Sequence, residues 1–153
     1  MIEVVFVIVI IGILAAVAIP RYLLTSEDAH VSKLQSFVGT LNKTVGPSLW
    51  SGVQRNEPGV NGSLKNAVLA KYNTLTDTGA DAQLETIPSE LQTHTLDLTQ
   101  CANAGTPLNV NVGTIASATI GSIAVTYKIG CIDSDLSISP HFFLEDGVNI
   151  LTR

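Results

Sequence analysis

The chain opens on an unbroken apolar run and acquires periodicity only later. Residues 4–19 carry no charged or strongly polar side chain. As a helix this run spans about 24 Å at roughly 1.5 Å per residue, a little under the ~30 Å hydrocarbon layer of a bilayer. A helix that is apolar around its whole circumference must be buried in lipid or in protein. From residue 26 the pattern narrows to one face. Val31, Leu34, Val38, Leu41 and Val45 recur three and four apart with Phe37 beside them, and Lys33, Gln35, Asn42 and Lys43 take the opposite side. Thr25, Ser26, Glu27 and Asp28 offer capping hydroxyls and first-turn acids to this half. Gly46-Pro47 is a place for a kink or an end, with residues 48–50 able to add one further turn.

Residues 51–62 are rich in Gly, Pro and Asn and read as a loop. Ser63 is placed to cap a short helix over 64–73, with Leu64, Val68 and Tyr72 on one side. Residues 73–94 read as irregular, with one helical turn near 81–85. From His94 the period becomes two, and strands are expected at 95–98, 108–112, 114–120, 122–129, 135–139 and 147–151. Ile123, Val125, Tyr127 and Ile129 alternate there with Ser122, Ala124, Thr126 and Lys128, and Gly113, Gly121 and Gly130 punctuate the runs as turns would. The expected fold class is α+β. A long N-terminal helix, apolar in its first half and amphipathic in its second, packs on a C-terminal antiparallel sheet. The chain divides at residue 24. Residues 1–24 form the apolar segment, and 25–153 form a head made of a helix half (25–50), a connecting loop (51–93) and the sheet (94–153).

The first residues carry a resemblance. Met-Ile-Glu before an apolar run, then Gly-Ile-Leu-Ala-Ala-Val-Ala-Ile-Pro, resembles the N-terminal signature of type IV pilins and their secretion-system relatives. The likeness covers residues 1–24. It implies a pilin fold and a subunit made by a prepilin peptidase that removes a basic leader and exposes a methylated Phe. That Phe would lie two positions before Met1, so Met1 is expected not to be the initiator. It further implies storage in the inner membrane, handling by pilus assembly machinery, and polymerisation with copies of itself into an extracellular filament for adhesion, motility or surface attachment. In that setting Glu3 pairs with the terminal amine of a neighbouring copy. Val4, Val5, Phe6, Ile8, Ile11, Ile13, Leu14, Val17 and Ile19 pack the filament core, and Gly12 and Pro20 permit kinking or local melting between them.

Physical chemistry bears on the same residues. Glu3 at the head of the span argues against a cleavable signal, and a carboxylate at the lip of a membrane helix needs a partner. Gly and Pro cost about 1 and 3 kcal/mol in a helix interior. Arg21 and Tyr22 suit an interfacial anchor. Cys101 and Cys131 lie 30 positions apart; an exported domain oxidises them, for about 3–4 kcal/mol in the chain-entropy model, the alternative being two buried thiols. Resembling pilins also carry such a pair toward the C-terminus.

Composition narrows the function classes. Thirteen acids against eight bases give a net charge of −5, and no Lys/Arg cluster exists to neutralise phosphates, so no specific nucleic-acid partner is indicated. No cofactor or metal is expected. His30, His94 and His141 fit no metal spacing, and Asp77, Asp81 and Glu85 match no calcium loop. Asp133 and Asp135, two apart, read as surface acids flanking a turn. Asn42-Lys43-Thr44 and Asn61-Gly62-Ser63 fit the glycosylation sequon, which chance alone often produces. No catalytic motif is present, so an enzyme is not expected. The reading is therefore a major pilin. The alternatives are a minor pilin or type II secretion pseudopilin and, more distantly, a single-span anchored periplasmic binding module.

Overall fold

A computed structural model describes residues 2–108, 113–121 and 125–152. The layout is α+β. Helix α1 (Ile2–Thr40) runs 39 residues, about 58 Å at ~1.5 Å per residue, straight through Gly12 and Pro20. No cap interrupts it at residues 25–28. The helix neither stops nor breaks at Gly46-Pro47 either. It widens into one π turn (Leu41–Val45), in which the Gly46 amide donates to the Leu41 carbonyl, and continues as α2 (Gly46–Asn56). Pro47 has no N–H for the carbonyl four residues earlier and its ring crowds that carbonyl; widening the preceding turn relieves both problems.

The wider turn also keeps the apolar stripe on one face. Leu41, Val45, Leu49 and Val53 lie four apart, and all four are buried. Four-residue steps overrun an α turn of about 3.6 residues and drift around the helix. A π turn holds more residues and cancels part of that drift.

The stripe packs against a four-stranded antiparallel sheet in the order β3 (Thr114–Ile120), β4 (Val125–Ile132), β5 (His141–Glu145), β6 (Ile150–Thr152). Leu34, Val38 and Leu41 join Ala118, Ile120, Ile129, Phe142 and Leu144 in one buried cluster. A separate two-stranded sheet pairs β1 (Thr74–Thr76) with β2 (Thr95–Asp97) and closes the long connection between helix and main sheet.

The expected elements fare unevenly. The strand at 114–120 is found, and the one at 95–98 ends at Asp97. Of 122–129, residues 122–124 lie outside the described residues; from Val125 the strand continues to Ile132. Of 108–112, residues 109–112 also lie outside them. Gly130 is no turn: it sits inside β4 opposite Phe143, whose ring lies where a side chain on Gly130 would stand. Residues 135–139 form no strand. The Asp135 carboxylate accepts the Ser137 and Ile138 amides at 2.7 and 2.8 Å and closes a tight turn instead. The helix at 64–73 shrinks to α3 (Ala70–Asn73): Ser63 and Asp133 accept first-turn amides as caps would, but Glu57 takes the amides of Val68 and Leu69 that a helix would give to the Leu64 and Lys65 carbonyls. No helical turn forms at 81–85; a 3-10 turn stands at Ser89–Leu91 instead.

Candidate assembly surface

The apolar side chains of α1 from Ile2 to Ile19 have nothing of the head against them. Ile2 is 83% exposed, and even the best covered of the large ones, Ile10, remains 42% exposed. Leu34 and Val38 on the same helix are fully buried. The helix therefore has two regimes, a bare rod followed by a packed half. Leaving the rod in water would forfeit on the order of 20 kcal/mol at about 1–2 kcal/mol per half-exposed large side chain. The span is long and apolar enough to cross a membrane.

Every expected core-packing residue (Val4, Val5, Phe6, Ile8, Ile11, Ile13, Leu14, Val17 and Ile19) lies on this rod and is exposed. Glu3 stands in the first turn, where a carboxylate is favoured by the helix dipole. No ion pair to Glu3 exists among the described residues.

Behind the rod, several polar contacts hold the head on the helix. Glu90 accepts from His30 Nδ1 at 2.6 Å and Lys33 Nζ at 3.1 Å, tying the connecting segment to α1. Burial alone would raise the Glu90 pKa, but the His30 bond, its own backbone amide and Lys33 outweigh it and hold it down at about 2. Asn42 donates to the Phe142 carbonyl at 2.7 Å and accepts from the Phe142 amide at 2.8 Å, reaching from the π turn to β5. Trp50 Nε1 donates to the Asp135 carbonyl at 2.7 Å.

Cys101 and Cys131 are joined, with Cα atoms 4.7 Å apart. The bond fastens the segment before β3 onto the centre of the sheet. Beside it the Ala102 amide donates to the Cys131 carbonyl at 2.9 Å and the Asp133 amide to the Ala102 carbonyl at 2.8 Å.

Asp133 is not a surface acid. Its side chain is buried and accepts from Ser63 Oγ (2.5 Å) and from the amides of Leu64, Lys65 and Ser134 (2.9, 3.1 and 2.8 Å). A turn that needs four donors answered in the interior is served well by one carboxylate. Each sequon also supplies one side chain to the structure. Asn42 is the clamp on Phe142, and the hydroxyl of the second sequon, Ser63, is spent on Asp133.

Asp77 accepts the Ile87 amide at 2.8 Å and bonds His94 Nδ1 at 3.0 Å, and these contacts, the Ile87 amide foremost, lower its pKa. The histidines stay apart in separate contacts, His141 lying against Phe143 at 6.5 Å between ring centroids. Among the described residues no group of three or more His, Cys, Asp or Glu is arranged to hold a metal. Asn42, Glu90 and Asp133 carry structural weight that residue type alone did not signal.

The chain matches no protein-family model, no curated protein and no solved structure.

Proposed function

We propose that the chain is a structural subunit of the type IV pilin class, held in a membrane by its rod and then polymerised through it. The observation that carries this reading is the bare apolar rod on an otherwise packed protein, with one acid at its head. Transfer from lipid to a bundle of like rods exchanges one apolar surrounding for another, so burial supplies little drive. Packing and the pairing of Glu3 must then decide assembly. A carboxylate drawn without a partner into a helix-packed interior costs several kcal/mol, which favours the one stagger that supplies a cation. The heads form the sheath of such a filament, on the outer surface of the cell.

Glu3→Ala tests the assembly step. The variant is expected in the membrane fraction in normal amount and depleted from sheared surface material. Filaments in wild-type quantity from that variant would remove the registering role. A major subunit dominates the sheared material, whereas a minor pilin or pseudopilin is scarce there, so its abundance separates the alternatives.

A further inference from the structure

We infer that Asn42 is a register lock, a positioning residue that fixes how far along the helix the sheet sits. This rests on the polymer reading for its consequence and on geometry for its substance. The apolar contacts between helix and sheet are non-directional, and the helix residues nearest the sheet, Leu34, Phe37, Val38, Leu41 and Val45, are all apolar. A slide of one turn puts Val38 and Val45 where Leu34 and Leu41 stand and Leu41 where Phe37 stands, all of them apolar for apolar, and puts Asn42 where the buried Val38 stands.

Asn42 does not tolerate it. Its amide satisfies both the N–H and the C=O of Phe142, a fully buried residue of β5. Among the described residues strand β6 pairs with β5 at Leu144 and Glu145, and the Asn42 side chain takes the next place along that edge of β5, at Phe142. One turn away on the same row stand Val38 and Gly46, neither of which can replace those two bonds. A slipped helix leaves two backbone groups buried without partners.

Gly46 adds a steric stop. A Cβ there would meet the Phe142 ring and Pro140 at 3.1 Å each, so this row offers one position narrow enough for the ring. A single buried Asn that fixes register among interchangeable apolar contacts is an established device in helical coils. In a polymer whose rods are staggered by Glu3, a fixed distance from Glu3 to the sheet makes the rise of the heads equal the rise of the rods.

The test uses the full chain in detergent micelles, spin-labelled at Ser32→Cys on the exposed helix face and Ser117→Cys on the exposed sheet face. Among the described residues no free cysteine competes for label. With Asn42 in place one narrow label distance is expected. Asn42→Leu should add a second population displaced by about 5 Å, one helical turn, and Asn42→Gln, which keeps the amide, should restore the single distance. A single unchanged distance in Asn42→Leu, with faster hydrogen exchange at the Phe142 amide, would overturn the lock and leave Asn42 a mere satisfier of hydrogen bonds. If Asn42→Leu loses its near-ultraviolet dichroism, Asn42→Asp is judged by the same criterion. Absence of wild-type filaments defeats the polymer reading and leaves the distances to judge the lock. Filaments of the two-register variant with wild-type rise would overturn the consequence for stacking.

Discussion

Removing the Asp133 carboxylate is the sharpest perturbation the head offers. In Asp133→Ala, the Ser63 hydroxyl and the amides of Leu64, Lys65 and Ser134 lose their acceptor together. Bonds to a charged acceptor are worth about 1.5–3 kcal/mol each, so four sum to about 6–12 kcal/mol. Two effects reduce that total. Burying the carboxylate costs several kcal/mol, which the variant no longer incurs, and the Lys65 amide is only partly buried and regains water. The net loss is about 3–5 kcal/mol, a fall in Tm of roughly 10–20 °C for a head of this size. Asp133→Asn keeps an acceptor for the three amides, and the Ser63 hydroxyl can turn to accept from the new amide. That change should cost about 1–2 kcal/mol. Thermal unfolding of the full chain in micelles, followed by near-ultraviolet dichroism, measures both. If Asp133→Ala melts within about 1 kcal/mol of wild type, the carboxylate is not the hub described.

Reduction of Cys101–Cys131 should destabilise the head by about 2–4 kcal/mol while far-ultraviolet dichroism of the helix persists; an identical melting curve with and without reductant would contradict it. Glu90 titrates near 2 in the folded head against an ordinary value of 4.5, so its contribution is complete above about pH 4.5 and is lost as the pH falls toward 2. Allowing for the exposure of His30 and Lys33, that contribution is about 1–2 kcal/mol, and Glu90→Gln should flatten the stability profile across that window. Gly130→Val puts a branched side chain where the Phe143 ring lies and should cost about 2–3 kcal/mol by overpacking, read from the same melts.

What the sequence made legible follows from how one-sided each element is. The helix stripe and β3 announce themselves because one face is buried and the other is wet. Strand β5 stays hidden because Phe142, Phe143, Leu144 and Glu145 are all buried, so no alternation marks it. The helix expected at 64–73 has the right periodicity, but its Val68 and Leu69 amides go to Glu57, and no periodic pattern announces a carboxylate at the end of the preceding helix. The π turn did leave a trace, in the four-residue spacing from Leu41 to Val53. On the candidate assembly surface, the apolar rod and its acid were plain in residue type alone. The Asn42 clamp was not, since an asparagine on the polar side of a helix looks like any solvated residue.

Electron microscopy of material sheared from cells that make this chain, with the protein identified in the filaments by mass spectrometry, bears most directly on the central claim. The account predicts helical filaments built of this chain, with the rods in the interior and the heads outside. Protein that stays dispersed in the membrane fraction, with no filament containing it under any growth condition, would contradict the account.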